Sequence, residues 1–235
     1  MLAVRSRLFG PVAWALALLI FAGFARTFYA RPWFDVPPLA TLLYVHGFLF
    51  SAWVILFLVQ VRLIGAGKPA AHRTLGTVGA ALAAGLVIVG LQATVYSAAI
   101  PKPHVLNLSS AQFSLIPLVE LFGFIGFVAA ALLMRRQSAW HKRLMVLAMV
   151  TMVAPAVARL ISLTGNGAHY LLLQTAVTIL FVSWGLAHDW VYQRRVHPAF
   201  WLWGTLLVLS WPLRMWAAQS PAWEPIGRWV AGLGA

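Results

Sequence analysis

Apolar residues fall into seven runs along the chain, at about 8–25, 39–61, 74–99, 111–134, 143–164, 169–190 and 199–218. Each is close to the roughly 20 residues a helix needs to cross a hydrocarbon core about 30 Å thick. The runs are continuous, not alternating, which argues against the two-residue period of a transmembrane barrel. Helix breakers separate them. Arg31–Pro38 (RPWFDVPP) reads as an extended connection, because each proline biases its predecessor away from helix. Gly65, Gly67 and Pro69 part the second run from the third, Pro101 and Pro103 the third from the fourth, and Gly165 and Gly167 the fifth from the sixth. Pro117, Pro155 and Pro212 fall inside spans 4, 5 and 7 and are expected to kink them. Gly76, Gly79, Gly85 and Gly90, among many alanines, give span 3 the small surface that lets membrane helices approach closely, and so predict that it is central.

This pattern predicts an all-α integral membrane protein, a seven-helix transmembrane bundle in one membrane domain. Residues 39–164 (spans 2–5) are the expected four-helix core. Residues 1–38 supply an anchor helix and an outer connection, and residues 165–235 two further helices and a C-terminal tail. Span 1 follows Arg5 and Arg7 in the manner of a signal peptide. Its apolar run of about 18 residues exceeds the 7–15 of a signal-peptide core, so a retained anchor is expected.

Composition agrees. The 235 residues are 62% hydrophobic and 9% charged, against roughly a quarter charged in soluble domains, and mean hydropathy is +0.87. The net charge of +13 sorts by side. Arg5 and Arg7, then Arg62, Lys68 and Arg73, then Arg135, Arg136, Lys142 and Arg143, then Arg194 and Arg195 mark every alternate connection. Basic loops face the cytoplasm, so the N-terminus is expected inside and the C-terminus outside, in a bacterial inner membrane. Topology thus accounts for the charge, and no nucleic-acid partner is expected. Tyr29, Trp33, Trp190, Tyr192, Trp216 and Trp223 at segment ends fit interfacial belts. The chain has no cysteine, which excludes disulfides, thiolate metal sites, iron–sulfur clusters and covalent c-type haem. Span 7 carries no mid-depth lysine for a retinal Schiff base, and the sequence has neither a glycine-rich phosphate loop nor a nucleophile elbow.

Polar residues inside the spans carry the candidate chemistry. Spans 2 and 3 meet at VRLIGAGKPAAHRTLG, and spans 4 and 5 at LMRRQSAWHKRLM. Both read as a basic residue, a short connection, then Ala-X-His-(Arg/Lys)-X-Leu, with His72 and His141 at the matching position. Sixteen residues before Arg62 stands His46, and sixteen before Arg136 stands Glu120. Two hairpins of one direction are related by an axis along the membrane normal. That pseudo-twofold relation sets His46 beside Glu120 on the outer side and His72 beside His141 on the inner side. Glu120 is a site candidate by default, because an ionisable group in the bilayer is costly. At 1.5 Å per residue, His46, Gln92, Glu120, Arg159 and Gln174 come to a common depth, roughly 7–13 Å below the outer surface. Tyr96, Asn166, His169 and Tyr170 lie nearer that surface, with His104 and Asn107 in the adjoining connection.

Three readings of this outer cluster stand open. One is a structural Glu120–Arg159 ion pair. The second is a pocket for a quinone, lipid or acidic substrate, with His46, Glu120 and Arg159 as its catalytic groups and Gln92, Tyr96, Gln174, Asn166 and His169 lining it. The third is a metal site of His46, Glu120 and His169. At the inner side, His72 and His141 read either as interfacial residues meeting lipid phosphates or as axial ligands of a b-type haem, with Arg73, Lys142 and Arg143 neutralising propionates. His188 and Asp189 read as interface residues that pair with Arg194 or Arg195, and His197 as a loop residue.

HGFLFSAW, AAHRTLG and AWHKRLM resemble a pattern of uncharacterised bacterial multi-pass membrane proteins that carry a histidine in one helix and His-Arg pairs opening two later ones. The likeness covers roughly residues 39–164. More distantly, the plan is similar to the ascorbate-reducible transmembrane cytochromes b. That resemblance implies a four-helix core and two b-type haems, the inner one on His72 and His141. The outer pair would be His46 and a histidine on span 4, where this chain has Glu120. The expectation is therefore a membrane redox protein, with haem b at the inner histidines and a quinone-like or small lipid-like substrate near Glu120. Two alternatives are a non-haem membrane enzyme or transporter using the outer pocket, and a non-catalytic subunit or assembly factor with partners in a larger membrane complex.

Overall fold

The computed structural model describes residues 9–101, 107–165 and 169–234. Arg5, Arg7, Pro103, His104, Asn166 and Gly167 lie outside them. The described residues form helices and no strands. They are α1 (Phe9–Phe24), α2 (Thr41–Gly65), α3 (Pro69–Ala99), α4 (Ser110–Phe113), α5 (Leu115–Leu133), α6 (Ser138–Thr151), α7 (Ala154–Ser162), α8 (Tyr170–Gln193), α9 (Thr205–Ala218) and α10 (Trp223–Gly232). A π-helical turn, Ala25–Tyr29, extends α1, and another, Ala199–Gly204, leads into α9.

Among the described residues, six helical stretches are long and apolar enough to cross a membrane: Phe9–Tyr29, Thr41–Gly65, Pro69–Ala99, Ser110–Leu133, Ser138–Ser162 and Tyr170–Gln193. They match the first six apolar runs. The seventh run is helical too, from Ala199 to Ala218, but its tryptophans, Pro212 and Arg214 dilute its hydropathy, and it is not one of the six.

Local chemistry sets the ends. Pro69 opens α3 in the first turn, where its missing N–H would have no partner anyway. Just before it, Gly67 turns the chain at φ 69°, a backbone state only glycine enters freely. Ser109 and Gln112 close a reciprocal capping box at the start of α4. A proline ring clashes with the carbonyl four residues back. For Pro117 that residue is Phe113, where α4 stops, and for Pro155 it is Thr151, where α6 stops. These two prolines divide their spans into α4–α5 and α6–α7, while Pro212 sits within an unbroken α9.

α2 packs against α3 and α5 against α6 as two hairpins, with α3 against α5 between them. The centre of the bundle differs from expectation. In the α6–α7 span 67% of the apolar window is buried, against 22% in α3. The small residues of α3 are spread around its circumference, so many face outward. The core is instead built on α6, α7 and α1, whose Val12, Ala13, Leu16, Ala17 and Ile20 are fully buried. α1 is therefore part of the packed body as well as an anchor. A Cβ on Gly23 would stand 2.5 Å from the Ala156 carbonyl oxygen, so glycine is what lets α1 meet α7. α10 lies across α3 and α4, where Val230, Ala98 and Leu118 make a small separate apolar cluster.

Candidate functional site

Glu120 stands in the second turn of α5, 5% exposed. Its charged neighbour is Arg214 of α9, 4% exposed, with Nη1 3.7 Å from Oε1. That gap is too long for a hydrogen bond. Arg214 donates through Nη2 to Ser210 Oγ at 2.8 Å and lies over the Trp211 ring at 4.4 Å. Trp211 Nε1 donates to Thr178 Oγ1 at 3.1 Å, and its ring meets Tyr170 at 6.4 Å. Tyr170, Gln174 and Thr178 recur every four residues and so share one face of α8. Gln174, 1% exposed, is thereby held between the two residues that touch Trp211.

His46 of α2 approaches from the far side. It stacks on Phe50 at 6.3 Å, and its Cε1 lies 3.7 Å from where a Cβ on Gly90 would stand. Leu121, next to Glu120, reaches the same spot at 3.3 Å. Several polar atoms in this region are buried without a hydrogen-bond partner in the protein: Glu120 Oε1, Gln174 Oε1, His46 Nδ1, and Arg214 Nε and Nη1. Burying such an atom unpaired costs about 1–3 kcal/mol, more when it is charged. At the Glu120–Arg214 contact one acceptor and two donors are thus left open, as a polar ligand or ordered water requires.

Of the residues singled out in the sequence, the structure brings Tyr170 within electrostatic reach of Glu120 and Arg214, sets Gln174 on the same face of α8, and leaves His46 beside Phe50 and Gly90, next to Leu121. Arg159 of α7 turns elsewhere. It donates through Nε to Thr27 at 3.1 Å and through Nη1 to the Pro155 carbonyl at 2.8 Å, and lies over the Phe24 ring at 4.2 Å. It remains within electrostatic reach of His46 and Tyr170. The expected Glu120–Arg159 pair is thus replaced by Glu120–Arg214. Gln92 and His169 are exposed and Tyr96 is half-buried. Asn166 lies outside the described residues. Among the described residues, no three His, Cys, Asp or Glu side chains gather at one point, so His46, Glu120 and His169 make no metal cluster.

At the opposite end, His72 and His141 do meet, with ring centroids 6.1 Å apart and planes at 85°. Arg73 is exposed. Arg143 is fully buried and turned away, holding both oxygens of Asp189 of α8, Nε to Oδ2 at 2.9 Å. Asp189 also accepts from Gln193 Nε2 at 2.7 Å and the His197 backbone at 3.1 Å. Asp189 thus pairs with Arg143 and not with Arg194 or Arg195, and Arg143 is not placed as the haem reading of the sequence expects. The histidine pair as arranged does not fit a b-type haem. Nδ1 is the His72 nitrogen buried without a partner, and a macrocycle held there would meet the first turn of α3. The flanking residues 68–71, 73 and 74 are exposed and offer no apolar slot.

Comparison with protein-family models, with curated proteins and with solved structures finds no significant match.

Proposed function

We propose that the chain is a seven-span protein of a bacterial inner membrane, N-terminus inside, that binds a quinone-like small molecule in a chamber around Glu120 and Arg214. The observation that carries this reading is the unfinished Glu120–Arg214 pair, 3.7 Å apart and under 10% exposed, with donors and acceptors open on both partners. A purely structural pair at that depth would close its hydrogen bonds, because desolvation otherwise outweighs attraction. The basic connections and the length of the 199–218 helix support the topology.

Arg214 donates to a carbonyl oxygen of the ligand, and Glu120 and Gln174 accept from a hydroxyl. His46 and Glu120 are the titratable groups able to exchange a proton with an oxygen of the ligand. This is the pocket reading of the sequence, with Arg214 in the place first given to Arg159. No step in it passes through a haem.

The test is thermal unfolding in detergent with a short-tailed benzoquinone and with its quinol. A ligand at 100 times its dissociation constant stabilises the folded state by about 2.7 kcal/mol. The wild type is expected to shift with at least one of the two, and Glu120→Gln and Arg214→Gln to lose that shift while staying folded. No shift in the wild type, or an equal shift in both variants, sinks the proposal.

A further inference from the structure

We infer that His72, His141 and Gln60 form a site for a single first-row transition-metal ion at the inner end of the bundle. This is independent of the Glu120–Arg214 chamber, which is built on α5, α8 and α9.

The three residues come from three elements. Gln60 lies near the end of α2, His72 in the first turn of α3 and His141 in the first turn of α6. Hydrogen bonding assigns the proton on the His141 ring. His141 Nδ1 lies 2.8 Å from the Ala131 carbonyl oxygen. A carbonyl only accepts, so Nδ1 carries the proton and Nε2 holds the lone pair. The His72 ring faces the Gln60 backbone carbonyl, while its Nδ1 is buried with no partner. Nδ1 is thus the His72 nitrogen left open to an ion. His141 is tied to a backbone carbonyl through Nδ1 and offers Nε2, as metal-ligating histidines do, while His72 offers its buried Nδ1.

Gln60 supplies a third donor. Its Oε1 is also buried without a partner. Its amide nitrogen lies 3.6 Å from where a Cβ on Gly76 would stand, one turn along α3 from His72. The rings, 6.1 Å apart between centroids, are close enough to share one ion at nitrogen–metal distances of about 2.0–2.1 Å.

The cations next in sequence do not crowd the site. Lys142 Nζ sits 4.7 Å from the Phe9 ring, Arg143 grips Asp189, and Arg135 donates to the Leu132 carbonyl at 3.1 Å. Beyond the paired His141 itself, Arg73, adjacent to His72, is a charge that acts on it. Two imidazoles and an amide oxygen are neutral donors that suit copper, nickel or zinc, with solvent completing the shell. Magnesium and calcium prefer all-oxygen sets with carboxylates.

The experiment titrates the full-length protein in detergent with Cu2+, Ni2+, Zn2+ and, as control, Mg2+, reading stoichiometry by calorimetry and Cu2+ ligation by electron paramagnetic resonance. The expected result is one ion per chain, Cu2+ tightest, with nitrogen hyperfine structure and no response to Mg2+. His72→Ala and His141→Ala each lose at least tenfold in affinity. Gln60→Glu adds a negative donor and Arg73→Gln removes a repelling charge, so both bind more tightly than wild type. These two gains keep the test decisive if a histidine variant misfolds. Three results overturn the inference: no stoichiometric ion in the wild type, affinity unchanged in all four variants, or haem co-purifying on His72 and His141 with a Soret band lost in their alanine variants.

Discussion

Among the described residues two arginine–carboxylate pairs are buried, and they are built in opposite ways. Arg143 and Asp189 form a two-pronged pair in which further donors, Gln193 and the His197 backbone, fill the carboxylate. Arg214 and Glu120 stand 3.7 Å apart with open valences on both sides. The first arrangement satisfies its own charges and fastens α6, α8 and the approach to α9. The second leaves unmet the desolvation cost that only a further polar group offsets. A buried ion pair is thus better judged by its remaining hydrogen-bonding capacity than by its presence.

The largest effect expected from that contrast is on stability. Asp189→Ala strands a fully buried guanidinium, and removing one partner of such a pair costs about 3–5 kcal/mol. Replacing both, as Asp189→Leu with Arg143→Met, is expected to recover most of that loss. Glu120→Leu with Arg214→Met removes charges that are already under-satisfied, so stability is expected to be unchanged or to rise by about 1–4 kcal/mol. Reversible unfolding of the four proteins in one detergent checks all three expectations. An equal loss at the two pairs would erase the distinction between them.

The next effect is a pH dependence confined to the Asp189 end. His197 lies in the connection before α9, and burial, then the nearby Arg143 charge, lower its pKa from the ordinary 6.5. Its Nδ1 accepts from the Ala199 N–H at 3.2 Å, a bond only the neutral ring can make. A group whose folded pKa is depressed binds fewer protons folded than unfolded. Its contribution is present above pH 6.5 and is lost as pH falls toward the folded value. His197→Asn keeps an acceptor that does not titrate, so it is expected to flatten the fall in melting temperature below pH 6.5. An unchanged slope would move the effect to another group.

The spans were legible in the sequence because continuous apolar runs have few alternative meanings, and the breaks at Phe113 and Thr151 follow from where Pro117 and Pro155 stand. Glu120 was legible as a site residue because a lone acid in such a run needs a reason. Its partner was not. Counting residues fixes depth in the membrane but not rotation about a helix axis. Arg159 has the depth to meet Glu120, yet the break before Pro155 resets the helix phase, and α7 turns it to Thr27 and Phe24 of the α1 span. Arg214 lies in the apolar run least able to span, among tryptophans, where an arginine reads as an interface residue. Asp189 was misjudged likewise, since a carboxylate four residues from the end of α8 looks solvated until α6 closes over it.

The smallest effect sharpens the contrast most finely, because it asks which arginine belongs to the chamber. Lysine keeps the charge at either position but lacks the planar fork and Nε donor of arginine. At Arg214 the open donors are Nε and Nη1 themselves, so Arg214→Lys is expected to abolish the benzoquinone-dependent thermal shift, with a basal loss of about 1 kcal/mol for its one hydrogen bond, to Ser210. At Arg159 the Nε bond to Thr27 and the face against Phe24 are structural. Arg159→Lys is expected to lower stability by about 1 kcal/mol, the worth of one such hydrogen bond, and to leave the ligand shift intact. The two variants share charge, side-chain length and approximate depth, so the ligand shift separates a guanidinium that meets the ligand from one that braces α1. If Arg159→Lys loses the shift and Arg214→Lys keeps it, the chamber belongs to the pair first read from the sequence.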